Sequence, residues 1–132
     1  MKPLFLILLT AIGSHAAPVI SNIDWEPACD GANIEIVSDQ SKLLSIRAFA
    51  GHSASLIEWT IHFIDGISVT AEFRETARDR ISEGERAGEY SGITRLARLE
   101  TFRWQDGHFQ IADKILAEEL RDILAKVKER RE

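Results

Sequence analysis

The feature that most constrains this chain is the segment 55–74, in which apolar residues alternate on both sides of an Asp-Gly pair. The first series is Ile57, Trp59, Ile61 and Phe63, and the second is Ile67, Val69, Ala71 and Phe73. Alternation with a period of two puts every second side chain on one face of a strand. The segment therefore predicts a β-hairpin with one buried face and one solvated face.

The turn of this hairpin is predicted from the way its apolar side chains must face each other. A two-residue Asp65-Gly66 loop sets Phe63 opposite Ser68, so that the apolar face of one strand meets the polar face of the other. A three-residue loop, 64–66, avoids this mismatch and uses Gly66 in the left-handed conformation of a bulged turn. It predicts four apolar cross-strand pairs: Phe63–Ile67, Ile61–Val69, Trp59–Ala71 and Ile57–Phe73.

The first 16 residues have the pattern of a secretory signal peptide. Lys2 precedes an apolar run from Leu4 to Ile12, and small residues end the segment at Ala16. The run is too short to span a bilayer, so we expect cleavage after Ala16 and a secreted or periplasmic protein. The alternative is a buried first helix of the fold. Intact mass of the exported protein checks this expectation, since the processed chain begins at Ala17.

Composition limits the class of partner. The chain has 16 Lys and Arg against 21 Asp and Glu, a net charge of −5, which argues against nucleic acid and, after cleavage, against membrane surfaces. Residues 17–132 have the length of one domain. Cys29 is the single cysteine, so no internal disulfide forms, and Cys29 is either buried or an intermolecular link.

The remaining elements follow from shorter patterns. Residues 17–33 fit either one helical turn or a strap over the core, and residues 33–38 alternate as a strand. The segment 39–50 fits one helical face, with Asp39 or Ser41 as its cap, and predicts a short internal helix. The glycine-rich, charged segment 75–92 reads as a solvated loop or ragged edge ribbon.

A second hairpin and a helix complete the pattern. In residues 94–111, a two-residue Asp106-Gly107 loop pairs Trp104 with Phe109 and Phe102 with Ile111. Residues 113–132 predict an amphipathic helix whose apolar stripe is Leu116, Leu120, Ile123 and Val127, widened by Ile115 and Leu124.

The C-terminal half resembles the SnoaL-like domains of the NTF2-like superfamily over about residues 34–120. The residues that match the family pattern are Gly88, Tyr90, Gly92, Phe102, Arg103, Asp106, Gly107 and Asp113. The resemblance implies a cone-shaped sheet around a small-molecule pocket. The family usually opens with long helices, which residues 17–33 are too short to supply, so the C-terminal helix is expected to cover the open side.

Three polar residues are the candidate catalytic groups. Arg98 and Glu100 continue the apolar face of the second hairpin, and the two-residue loop sets Glu100 opposite Asp113. Two carboxyl groups in a poorly hydrated site raise one pKa, which is how a general acid or base is tuned toward neutral pH. The alternative is structural: Arg98 pairs with Glu100 at the wet end of the sheet, and Asp113 caps the last helix.

The candidate ligand-binding residues are aromatic: Trp59, Phe63, Phe73, Phe102 and Trp104. Aromatic residues in such a pattern are more often packed in a core than stacked on a ligand. His62 with Glu58 and Glu72 on the polar face of the first hairpin is the nearest approach to a metal site. The spacing of the histidines does not fit a metal site, and no phosphate-binding or cofactor motif is present, so we expect no metal and no cofactor.

Together these patterns predict an α+β fold: a strongly curved, mostly antiparallel and cone-like sheet with a short internal helix and a C-terminal amphipathic helix. Two functions remain open. The first is an exported domain with an apolar cavity that binds a small molecule and, in its stronger form, transforms it. The second is a non-catalytic interaction module, a subunit or inhibitor that pairs through a sheet face; a second copy in a homodimer is one candidate partner.

Overall fold

The computed structural model describes residues 17–25, 27, 31–52 and 54–131 of the chain. The strands are β1 (Val19–Asp24), β2 (Gly31–Asp39), β3 (Lys42–Gly51), β4 (Ser55–Ile64), β5 (Ile67–Arg80), β6 (Tyr90–Gln105) and β7 (His108–Phe109), and the helix α1 spans Lys114–Arg131. Each strand pairs antiparallel with the next, in the order β1 to β7. The α+β class is confirmed. The predicted leader, residues 1–16, and Cys29 lie outside the described residues.

The core forms where α1 packs on one face of the sheet. The predicted apolar stripe of the helix is buried, at Leu116, Leu120, Ile123 and Val127, whereas Ile115 is exposed. The sheet contributes alternate residues of its central strands: Ile34, Ile36, Ile46, Ala48, Ala50, Ile57, Trp59, Ile61, Ala71 and Phe73. Burial of this apolar surface is the main source of stability. No helix among the described residues is long and apolar enough to cross a membrane.

The predicted internal helix at 39–50 is wrong, because these residues form a hairpin turn and strand β3. Gln40 and Ser41 both have positive φ, at 48° and 70°, and they join β2 to β3 as a two-residue turn. Ile46, Ala48 and Ala50 then alternate into the core, and Ala48 lies opposite Trp59. The helical spacing was accidental, and the small alanines leave room for the indole.

The three-residue loop predicted for the first hairpin is also wrong. Asp65 and Gly66 form a two-residue turn, both with positive φ, and Phe63 does lie opposite Ser68. One extra residue on β5, Val69, then shifts the register between Phe63 and His62. Beyond this bulge apolar residues face each other as expected, but two positions away from the predicted pairs: Ile61 with Ala71 and Trp59 with Phe73.

Gly66 carries a prediction that follows from its backbone conformation. Its φ is +78°, and an added Cβ would lie 4.0 Å from a side-chain carbon of Lys42, so space is not limiting. We expect Gly66→Ala to lower the free energy of unfolding by about 1 kcal/mol or more, because an L-residue resists the left-handed region. Gly92→Ala, with no positive φ and no atom within 4 Å of the added Cβ, is the matched control. Equal losses in urea denaturation would refute the turn assignment.

The second hairpin is only partly as predicted. Asp106 and Gly107 form the two-residue turn, and Trp104 pairs with Phe109, which confirms that part of the register. Strand β7 then ends at Phe109, and the last backbone bond to β6 runs from the amide of Gln110 to the carbonyl of Arg103. The cross-strand pairs Phe102–Ile111 and Glu100–Asp113 are therefore absent from the described sheet.

Candidate functional site

The three predicted catalytic residues do lie together, but they are arranged around the arginine. Nε of Arg98 is 2.5 Å from Oε2 of Glu100, and Nη2 of Arg98 is 3.2 Å from Oδ2 of Asp113. The guanidinium carbon is 5.7 Å from the centre of the Phe73 ring. One guanidinium thus bridges two carboxylates at the start of α1, and the hydrogen bond to Glu100 raises the pKa of Arg98 above its ordinary value.

Asp113 has the geometry of a helix cap. Its Oδ1 accepts hydrogen bonds from the amides of Ile115 at 2.9 Å and Leu116 at 3.2 Å. The bond from Leu116 and then the bond from Arg98 lower the pKa of the Asp113 carboxyl below its ordinary value. This direction is opposite to the shift that a general acid at neutral pH requires, and the structural alternative accounts for the contacts of Asp113.

Most of the predicted ligand-binding aromatic residues are in the core. The Trp59 side chain is wholly buried, and its ring centre lies 5.0 Å from that of Phe73 and 6.0 Å from that of Phe102. Phe63 is partly buried against the same cluster. Trp104 differs, because it is 37 % exposed and meets the ring of Phe109 edge-on at 5.0 Å.

A half-buried carboxylate that the sequence did not indicate, that of Glu119 on α1, lies between the helix and the sheet. Nε1 of Trp59 donates a hydrogen bond to Oε1 of Glu119 at 2.6 Å. Burial raises the pKa of Glu119, and the bond from Trp59 opposes this shift. The one available signal was the position of Glu119 beside the apolar stripe, next to Leu120. A charged residue there is ordinarily solvated, so the pattern alone did not select it.

A groove between the β6–β7 hairpin and α1 has the concave, largely apolar shape of a binding site. Its volume is about 330 Å³, and it is lined by Trp104, His108, Phe109, Ile111, Ala117, Leu120, Arg121 and Leu124. Trp104 is the predicted ligand-binding residue on this wall. Glu100 and Asp113 are not part of the lining, so the groove and the ion-paired carboxylates are separate features.

The two basic residues of the groove have different roles. The carbonyl of Asp106 can only accept, so Nδ1 of His108, 3.3 Å away, carries the proton of that contact. Nε2 of His108 lies 3.2 Å from the side-chain amide nitrogen of Gln110, so both ring nitrogens have a polar neighbour within the hairpin. Within the described residues no ion pair involves Arg121, so Arg121 supplies the positive charge of the groove.

The polar face of the first hairpin carries ion pairs. Glu58 lies opposite Arg74, whereas the three-residue loop would have placed it opposite Glu72. The carboxylate of Glu58 is 3.0 Å from Arg47. Glu72 lies opposite Thr60 and 3.9 Å from Arg74. In the part of the chain that the structure describes, no three His, Cys, Asp or Glu side chains are grouped as metal ligands.

Comparison of the chain with family models, with curated proteins and with solved structures finds no match. The resemblance to SnoaL-like domains therefore stays a prediction from the residues that carry it.

Proposed function

We propose that this domain binds a small amphipathic anion in the groove between the β6–β7 hairpin and α1. The observation that carries the proposal is the composition of the groove, in which apolar walls meet one cation, Arg121. Ligand sites are typically apolar and concave, with a few polar groups that fix orientation. A flat hydrocarbon or aromatic body would lie between Trp104 and Leu124, with its anionic group at Arg121.

Binding is favoured over chemical transformation. Arg98 forms ion pairs with both candidate carboxylates, Glu100 and Asp113. Asp113 also accepts hydrogen bonds from two backbone amides. Neither carboxylate lines the groove. No reaction is therefore proposed. The ion pairs of Arg98 with Glu100 and Asp113 have a structural role, because they connect β6 to the start of α1.

The experiment is a fluorescence titration with 8-anilinonaphthalene-1-sulfonate, a probe with an aromatic body and one sulfonate. We expect saturable binding that Arg121→Gln weakens about threefold to tenfold, since a partly exposed charge contact is lost. Lys128→Gln removes the same charge from the last turn of α1, away from the groove, and should leave the affinity unchanged. Equal affinities of the two variants would overturn the proposal, because binding would then not involve Arg121.

We further propose a secreted or periplasmic location, supported by the Lys2 to Ala16 pattern, and a strongly curved, cone-like sheet. The shape is supported by the resemblance and by bulges, which bend a strand and increase its twist. One bulge lies in the β4–β5 pair, and register shifts also interrupt the β5–β6 pair.

The second function, a non-catalytic interaction module, is favoured by a different observation. Large apolar side chains of β6 are exposed, among them Ile93, Leu96 and Leu99. Exposed apolar groups on an outer strand are typical of a surface that meets another chain.

A further inference from the structure

Strand β6 is the longest in the sheet, and its outer edge is open over most of its length. It pairs with β5 from Tyr90 to Arg103, but with β7 only at Trp104 and Gln105. No backbone hydrogen bond joins residues 94–101 to a described residue on this outer side. An open edge with apolar side chains templates the addition of another strand, and natural proteins normally protect such edges.

A bulge in the middle of this edge sets which side chains share a face. Glu75 lies opposite Arg98 and Thr76 opposite Leu96, so Ala97 is an extra residue on β6. Leu96 and Leu99 consequently point to the same face although they are three positions apart. That face is the one opposite α1, since their partners Thr76 and Arg74 alternate with the buried Phe73.

The same bulge acts on the residues that face the helix side. Glu100 lies opposite Phe73 and Arg95 opposite Ala77, two positions of equal parity on β5, so Arg95 and Glu100 also share a face. The next residues along the strand in each direction are Thr94, opposite Arg78, and Thr101, opposite Glu72. Both threonines are on the outer face, together with the two leucines. From Thr94 to Thr101 the strand thus reads Thr-Arg-Leu, then Ala97 and Arg98 at the bulge, then Leu-Glu-Thr.

We propose that β6 pairs antiparallel with β6 of a second copy of this chain, about a two-fold axis beside Ala97 and Arg98. The register sets Leu96 opposite Leu99, Arg95 opposite Glu100 and Thr94 opposite Thr101, each pair occurring twice by symmetry. The two members of each pair lie on the same face of the combined sheet, as directly opposed residues must. The leucine and threonine pairs lie on the outer face, and the Arg95–Glu100 pairs lie on the helix side. Without the extra residue Ala97, the leucines of each pair would lie on opposite faces.

The charges of this arrangement are complementary. Arg95 is exposed and already 3.0 Å from Asp79 of its own chain, and Glu100 of the second copy adds a further carboxylate beside it. The two Arg98 side chains approach each other near the axis, but each is neutralised by Glu100 and Asp113 of its own chain. The four leucines form an apolar cluster on the outer face; Leu96 is 56 % and Leu99 46 % exposed in the single chain.

The proposed dimer deepens the second function above, because it identifies the partner of the interaction module as a second copy of the chain. It does not depend on ligand binding in the groove. The groove residues Trp104, His108 and Arg121 lie outside the paired segment 94–101. A failure of probe binding therefore leaves the dimer standing, and a monomeric protein leaves the groove standing. One strand pair is a small interface, so we expect a weak and concentration-dependent dimer.

The test is sedimentation equilibrium of the purified chain over a wide range of concentration. We expect the average mass to rise from that of one chain toward that of two. Leu96→Lys should raise the dissociation constant about tenfold or more, because a lysine would replace a leucine twice in the apolar cluster. Ile67→Lys, at an exposed position beside the Asp65-Gly66 turn, is the control and should leave the dissociation constant unchanged.

A charge-reversal mixture tests the register itself. Arg95→Glu alone sets Glu opposite Glu100 twice in a dimer, and Glu100→Arg alone sets Arg opposite Arg95 twice, so each variant should be monomeric. Mixed together, the two variants restore opposite charges at both sites, so the mixture should dimerise more strongly than either variant alone, although Glu100→Arg also removes a partner of Arg98 in its own chain. Circular dichroism of each variant checks that it is folded. A wild-type chain that stays monomeric at every concentration would overturn the dimer, and a mixture that stays monomeric would overturn the register.

Discussion

Replacement of Trp59 by alanine is expected to lower the free energy of unfolding by about 3–5 kcal/mol, which is the usual cost of deleting a buried aromatic side chain. The Trp59 side chain is wholly buried and contacts the rings of Phe73 and Phe102. Its cross-strand partner on β3 is Ala48. An alanine facing an alanine leaves a cavity that the surrounding strands and the helix packed on them close only in part. Urea denaturation followed by far-ultraviolet circular dichroism measures the loss.

The matched control for this substitution is Trp104→Ala. Trp104 is also an aromatic residue of the sheet, but it is 37 % exposed and lies beside the β6–β7 turn. We expect it to lose less than half as much free energy as Trp59→Ala. Similar losses at the two positions would show that Trp59 is not the centre of the core.

The hydrogen bond from Trp59 to Glu119 can be separated from the packing of the ring. Trp59→Phe keeps an aromatic ring but removes the donor, which leaves the half-buried Glu119 carboxylate without that partner at a cost of about 1–3 kcal/mol. In a Glu119→Gln background the same change should cost less, because no buried charge is left unpaired. The difference between the two losses measures the coupling of the pair.

The pH dependence of that pair follows from the direction of its pKa shift. Burial raises the pKa of Glu119 in the folded state, so the stability associated with this group is present below its unfolded pKa and is lost as pH rises through the folded pKa. Glu119→Gln should therefore be relatively more stable at neutral pH than in acid, compared with the parent chain. Asp113 acts in the opposite sense: its lowered pKa contributes stability that is lost as pH falls through the folded value.

The parts of the fold that sequence predicted best are those in which one strong pattern had one solution. The apolar stripe of α1 is buried as expected, and the Asp106-Gly107 turn sets Trp104 opposite Phe109 because turn chemistry and apolar facing agree there. At Asp65-Gly66 the two signals conflict. The local preference of Asp-Gly for a two-residue turn prevails, and the bulge at Val69 realigns the apolar residues afterwards.

Bulges and unusual turns explain most of what sequence did not predict. The Gln40-Ser41 turn contains no glycine or asparagine, so nothing local separated β3 from a helix. Ala97 and Val69 are extra residues only because of how neighbouring strands pack, and no property of alanine or valine marks a bulge. At the site, the predicted Glu100–Asp113 cross-strand pair is missing from the described sheet because β7 ends at Phe109, and the contacts of Arg98 and Asp113 are those of the structural alternative.

Replacement of Leu120 by alanine links the core to the proposed ligand groove. Leu120 is 2 % exposed in the middle of α1, and it also forms part of the groove wall. We expect a loss of about 2–5 kcal/mol in the free energy of unfolding, from lost burial and from incomplete collapse around the shortened side chain.

Ile123→Ala separates the two roles of this part of the helix. Ile123 is fully buried on the same stripe, but it is not part of the groove lining, so its loss of stability should be similar. Under conditions where both variants are folded, Leu120→Ala should change the affinity for the anilinonaphthalene probe by removing one wall of the site, whereas Ile123→Ala should not. If both variants bind the probe as the parent chain does, the apolar wall of the groove contributes nothing to binding, and the ligand must contact a different surface of the domain.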